Sequence, residues 1–433
     1  MSPDVTPRPG AAAQAAAGDG GLTPAARLLL ALTLVTGASQ FHRAALGVVG
    51  PELARDLGSG TGVLGAANGA FFLAIGLAQI PVGLALDRIG PRMTVALLTG
   101  PAVLGALAQA LAPEAGWFLA ARFLLGLGCG ASFMASVVLC ARWHAGEGLT
   151  TALARVFALS QAGVLLAGAP FAAAAEWIGW RGAYALSAAL TGALGALWWA
   201  WVRDDPPGRP PPPRPAETIG EALRGQITVW RTPGLLPVLS MHVFGYAAMA
   251  TVLAVWAGPY LAEVHGLAPG PRGAVLLAMG LVLPLGLLGI GPLERRLNTR
   301  KWLVVGLAAG AVAVLAALAL RPGMPLAAAV ALLLLLCLLS CYPVVVVAHG
   351  RSLFPDHLVG RGATTVNLAQ TLGSAALPAL TGWAVALAPQ DGGGARGETW
   401  SIAFGLLAVA LALGIAGYLA GRDAPPRPTP PPG

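Results

Sequence analysis

Twelve apolar runs, each near the roughly 20 residues that cross a bilayer's hydrocarbon core as a helix, dominate this 433-residue chain. The first six fall at about 25–49, 63–86, 93–111, 117–139, 153–175 and 183–201, and the second six at about 235–261, 274–293, 302–320, 326–348, 363–387 and 401–419. Lipid cannot satisfy free backbone N–H and C=O groups, and the runs lack the alternation of barrel strands, so each is expected to be a helix. Composition agrees: 56% hydrophobic and 10% charged residues leave too little polar material to cover a soluble surface.

The net charge of +8 does not mark a nucleic-acid partner, because the arginines are scattered between the runs and form no basic domain. Counted loop by loop, 18 basic residues share the side of the N-terminus and five lie opposite, with Arg43, Arg122 and Arg155 inside runs. By the positive-inside rule both termini are cytoplasmic, and the expected location is a prokaryotic inner membrane, crossed many times. The expected organisation is a disordered tail (1–24), a six-helix bundle (25–202), a cytoplasmic linker (203–233), a second six-helix bundle (234–420) and a proline-rich tail (421–433). In the linker, Thr218 and Glu221 have capping-box spacing, and Ile219, Leu223, Ile227 and Trp230 share a helical face, which predicts a short amphipathic helix. Cys129, Cys140, Cys337 and Cys341 all fall in apolar runs and are expected to be free packing residues.

The halves repeat. A constant shift of 208 residues superposes Pro51 on Pro259, Gly58 on Gly266, Gly65 on Gly273, Gly83 on Gly291, Arg88 on Arg296 and Arg92 on Arg300 without a gap. Two pseudo-symmetric six-helix halves are a transporter architecture.

After the second run the chain reads GLALDRIGPRM. Gly83 and Gly90 suit close helix approach and a tight turn. Asp87 can sit against the positive N-terminal end of a neighbouring helix, while Arg88 and Arg92 fit the inner interface. The stretch resembles the loop signature of the major facilitator superfamily at Gly83, Asp87, Arg88, Gly90 and Arg92. Met93 departs from it, and so does the second-half copy GPLERRLNTRK, where Arg295 replaces the acid and Asn298 the glycine. RFLLGLGCG (Arg122, Gly126, Gly128, Gly130) and GWRGAY (179–184) are similar to the same superfamily. The resemblance, over about 25–420, implies alternating access with Asp87 as a conformational gate. The glycines at 126 and 130 are expected to pack helices, there being no strand to make them a phosphate loop. Arg122 can serve that packing or snorkel.

Within the first run, SQFHRAALG places His42 and Arg43 in the membrane. An intramembrane arginine costs roughly 2.5 to 3.5 kcal/mol on insertion scales, so it is expected to face a bundle interior. Snorkelling to the headgroups is the alternative. Thr36, Gln40, Arg43 and Gly47 share one helical face, a stripe wasted on lipid. Other polar candidates for the cavity are Gln161, His242, Tyr246, Asn367 and Gln370, together with Thr251, which is the repeat partner of Arg43. His349 and His357 are expected near the inner surface, in solvent.

HRAALGVVGPELARDLG is similar to the first span and outer loop of the superfamily's anion/cation symporters. The resemblance implies that Arg43 holds an anion, and His42 stands where those proteins carry a proton-bearing acid. With Thr251 rather than a second arginine, a small organic monoanion, a carboxylate, is the expected cargo, with a proton as the coupling ion. The expected partners are thus a small-molecule substrate, protons and the lipid bilayer, with a monomer as the working unit. No HExxH, GxSxG or cofactor motif is present, so neither an enzyme nor a metal or cofactor site is expected. Export of amphipathic compounds and a transporter-like membrane sensor are the alternatives.

Overall fold

In a computed structural model, residues 22–60, 62–144, 147–207, 229–354, 359–387 and 395–425 are described, and among them the regular structure is helical throughout. All twelve expected runs are helical. Nine stretches among the described residues are long and apolar enough to cross a membrane, and one of these, Arg155–Trp201, contains both span five and span six. Spans one and eleven fall short on apolarity because they carry the polar stripes at Gln40–Arg43 and Gln370–Ser374. The amphipathic helix expected in the linker lies outside the described residues.

Span one runs as Pro24–Ala44 and Leu46–Asp56, opened by Thr23, whose hydroxyl accepts from Ala26 N, and by proline in the first turn. Spans two, three and four are Gly62–Arg88, Pro91–Ala110 and the pair Ala115–Cys129 and Ser132–Trp143. Span five is Glu147–Ser160, continued through Ala162–Ala167 into Ala169–Trp201, which bends at Gly179 (φ 73°) to become span six. In the second half, span seven is Leu235–Thr251, a π-helical turn Val252–Trp256, and Ala257–Glu263. Spans eight to twelve are Pro269–Leu297, Lys301–Leu320, Leu326–Leu339 with Pro343–Ser352, Val359–Ala386, and Ala395–Leu419.

The repeat extends to backbone geometry. Gly58 and Gly266, and Gly90 and Asn298, occupy the same repeat positions and all have positive φ (59°, 65°, 85° and 48°). Asparagine is among the few non-glycine residues that adopt the left-handed region readily. The second-half copy has thus lost the glycine of its signature but kept the turn.

Each half also holds the helix that follows this turn with an aspartate from just beyond its last span. Asp204 accepts from Arg92 N at 2.7 Å, and its carboxylate fills the space a Cβ on Gly90 would need. Asp423 accepts from Arg300 N and Lys301 N at 3.1 and 2.9 Å and from the Thr299 hydroxyl. An anion at the positive end of a helix is the common logic. The RDD after span six and the RDA after span twelve were the sequence signal for it.

The halves meet at the end of the molecule opposite the chain termini, called here the far end. Spans two and eleven touch through small residues: a Cβ on Gly65 would fall onto Pro378 O and the backbone of Gly382, and one on Gly69 onto Ala375 O and Ala379. Spans one and seven cross where Gly258 meets Gly47 O. That carbonyl is free of its own helix because Pro51 has no N–H to offer it. Polar contacts close the same end: Gly270 N donates to Glu176 at 2.6 Å, and Arg272 to Val48 O and to Glu52, the latter at 2.8 Å.

Candidate functional site

Near the middle of the bundle, spans one, two, five, seven and eight surround a partly open cavity. Its polar lining is Gln40, Arg43, Gln161 and Tyr246, and its apolar lining includes Phe72, Val164, Met249, Leu253 and Leu283. Four of the seven residues expected to bind substrate thus come together from three spans. The π-helical turn of span seven, which adds a residue to one turn, lies along this wall at Leu253 and Ala254.

Arg43 is half-buried, with its guanidinium 5.4 Å from the Phe72 ring centroid. Its Nε is buried without a hydrogen-bond partner, and no ion pair among the described residues includes it. Gln40 Nε2 donates to Gln161 Oε1 at 2.8 Å, which leaves the Gln161 amide N–H groups and the Gln40 carbonyl for other partners.

The backbone beside Arg43 is fixed by Arg122. The sequence left Arg122 between packing and snorkelling; it is fully buried, so its head does not reach out to an interface. It donates to His42 O at 2.9 Å and to Asn68 at 3.4 Å, with its guanidinium 4.6 Å from the Phe71 ring centroid. The contact falls just before the interruption of span one at Ala45. Span four approaches closely enough to do this because Gly126 lies against Phe71 O and Gly130 against Ala78, while Gly128 receives Ala102 of span three.

Several expected residues stand elsewhere. His42 points away from the cavity and shares a hydrogen bond with Thr191 of span six at 3.0 Å. Thr251 is buried with its hydroxyl donated to Ala247 O at 2.6 Å, so the position repeating Arg43 offers the cavity no donor. Gln370 is half-buried beside His242, outside the cavity wall. The side chain of Asn367 lies outside the described residues, and so does all of His357. His349 is not solvated as expected: it is buried, with Nδ1 2.6 Å from the Tyr418 hydroxyl.

At the loop signature, Gly90 makes the turn, and Arg92 lies over Trp199, 4.1 Å from the ring centroid, donating to Trp199 O at 2.8 Å. Arg88 is exposed. The close approach expected at Gly83 is not seen among the described residues, none of which lies within 4 Å of where its Cβ would be. Asp87 is in the last turn of span two, with its side chain outside the described residues. The GWRGAY stretch gains a role in geometry: Trp180 and Arg181 both donate to Asp56, at 2.8 and 3.0 Å, closing the far end of span one onto span six.

Two helical bundles, built on one repeat with a cavity lined by Gln40, Arg43, Gln161 and Tyr246 between them, are the architecture of a membrane transporter. The family model of the Major Facilitator Superfamily matches residues 32–378, and the chain belongs to that superfamily. Its members are transporters rather than enzymes. A nitrate/nitrite transporter of Nostoc punctiforme is 30% identical over 144 residues, and a quinolone resistance transporter of Acinetobacter baumannii 31% identical over 120. These matches span only 28% and 27% of the relatives' own lengths. Among solved structures, a bacterial homologue of the human lysosomal transporter Spinster, inward-facing and unoccupied, superposes with a TM-score of 0.75 at 17% identity, covering 92% of this chain and 97% of that one.

Proposed function

We propose that this chain is a secondary transporter of small organic monoanions, carboxylates above all, working as a monomer by alternating access in a prokaryotic inner membrane with both termini cytoplasmic. The observation that carries the reading is the guanidinium of Arg43, set in the cavity between the halves with no counter-ion among the described residues. A planar fork of N–H donors matches one carboxylate, and a cation already held in a cavity with a mostly apolar wall lacks only the anion. Gln161 and Tyr246 add neutral donors on either side. The nitrate/nitrite transporter among the relatives is an anion carrier by its name, which supports the class of cargo. With the termini cytoplasmic, closure at the far end makes this the inward-facing arrangement, and Asp87 belongs to the gate at the other end.

Export of amphipathic compounds is the second reading. The apolar wall of Phe72, Met249, Leu253 and Leu283 favours it, as does the quinolone resistance relative.

Uptake of radiolabelled lactate, benzoate and succinate into proteoliposomes, with and without a pH gradient, separates the two. Accumulation of a monocarboxylate driven by an inward proton gradient supports the first reading. No carboxylate flux, together with extrusion of a cationic dye, overturns it in favour of the second.

A further inference from the structure

Arg43 gives the cavity one permanent positive charge from the first half, and its repeat position Thr251 gives none. What the second half brings instead is His242, one turn before the cavity-lining Tyr246 on span seven. His242 is 1% exposed and neither ring nitrogen completes a hydrogen bond, although the ring is turned towards Gln370 of span eleven. One turn further along span eleven, the Ser374 hydroxyl is also buried and unbonded. Leaving such groups unpaired costs stability, whereas the other two buried histidines each keep one partner: His42 Nε2 has Thr191 and His349 Nδ1 has Tyr418.

The elements packed on this stretch bring few titratable groups. Span ten contributes Tyr342, whose hydroxyl donates to Gly245 O, and span twelve contributes Tyr418, held by His349. Span eleven brings Gln370 beside the ring, and no ion pair among the described residues includes His242.

We propose that His242 carries the co-transported proton, and that its imidazolium is the second half's conditional positive charge for the anion held at Arg43. This rests on the anion reading above. In each cycle one proton from water on the loading side forms an N–H bond on the neutral imidazole, and that bond breaks on the unloading side as the anion leaves, so charge and atoms balance. Proton and anion then favour each other by the same factor, as linkage requires. His42 packs span one on span six and takes no part.

The test titrates the purified full chain in lipid nanodiscs with lactate and with benzoate at about pH 5.5 and about pH 7.5, the window in which histidine charge is normally set. In the wild type, affinity is expected to be roughly tenfold tighter at the lower pH, a common size for coupling between sites. His242→Gln is expected to abolish that difference and gradient-driven accumulation while keeping counterflow exchange, and His42→Gln to behave as wild type. Should His242→Gln not fold, the ¹⁵N imidazole signals of the wild type give the answer, because one histidine must bind its proton more tightly when benzoate is added. Anion binding with the same pH dependence in wild type and His242→Gln, or imidazole signals indifferent to benzoate, overturns the proton role alone. If neither carboxylate binds the wild type at either pH, the anion reading falls and takes this inference with it.

Discussion

Arg272 at the start of span eight donates to the Glu52 carboxylate of span one at 2.8 Å, tying the two halves of the molecule together at the far end. The arginine side chain is 1% exposed and the glutamate 28%, so the pair lies between a sealed ion pair and a surface one. Neither residue is singled out by its sequence context, since both sit where a loop joins a span. The pair exists only because the repeat folds two distant segments onto each other.

Glu52→Gln leaves the buried guanidinium without its counter-ion, at a cost of about 1 to 3 kcal/mol, between the values for exposed and buried pairs. The expected result is a shift towards the state open at the far end, read as increased labelling of Ala254→Cys by a membrane-impermeant thiol reagent added from that side. Labelling equal to that of the parent carrying an intact pair would show that the contact does not hold the end shut.

Gly65→Val acts on the same closure through packing. A Cβ there falls on backbone of Pro378 and Gly382, which cannot give way as a side chain could. The far end should be wedged open and transport lost, while thermal melting of the purified variant stays within a few degrees of wild type. A fully active Gly65→Val would mean that spans two and eleven need not meet.

Asp87→Asn should push the balance the other way. Loss of the carboxylate removes its attraction to a helix N-terminus, worth up to about 2 kcal/mol when partly buried. Cavity positions such as Gln40→Cys then become more reactive from the termini side. A folded variant with unchanged reactivity removes Asp87 from the gate.

Arg43→Lys keeps the charge and loses the fork, so carboxylate affinity should fall by roughly 1.5 to 3 kcal/mol, the range for a hydrogen bond to a charged group. Arg43→Ala should abolish specific binding. Direct binding to purified, monodisperse variants distinguishes this from snorkelling, for which lysine would serve equally well.

Asp423 yields a pH dependence of stability. Burial pushes its carboxyl up, but hydrogen bonds from the Thr299 hydroxyl and the backbone N–H groups of Lys301, Arg300 and Ala424 outweigh that and hold it below the ordinary carboxylate range. A depressed carboxyl stabilises the fold fully above its unfolded value, near pH 4, and the contribution is lost as pH falls through the lower folded value. Thermal melting of wild type and Asp423→Asn should therefore differ at neutral pH and converge in acid. Parallel melting curves at all pH values would rule out the carboxylate as the cap of span nine.

The membrane architecture and its repeat were legible without a structure. Span length follows from bilayer thickness, helicity follows from the absence of water to satisfy the backbone, and a constant offset needs no structure to be seen. The same reasoning put Gln40 and Arg43 on one face, because helical spacing is local. Which polar groups meet depends instead on how the folded spans pack. Arg122 could have snorkelled or packed until span four was seen delivering it to His42 O. His42 and Arg43 are neighbours in sequence, but about 100° of helical rotation separates them, which sends one to Thr191 and the other into the cavity. Thr251 matched Arg43 by repeat but turned its hydroxyl to its own backbone, and His242 came to lie beside Gln370 without completing a hydrogen bond of good geometry. Such choices depend on how whole helices approach and rotate against one another, and those angles are set by summed packing over spans far apart in the chain.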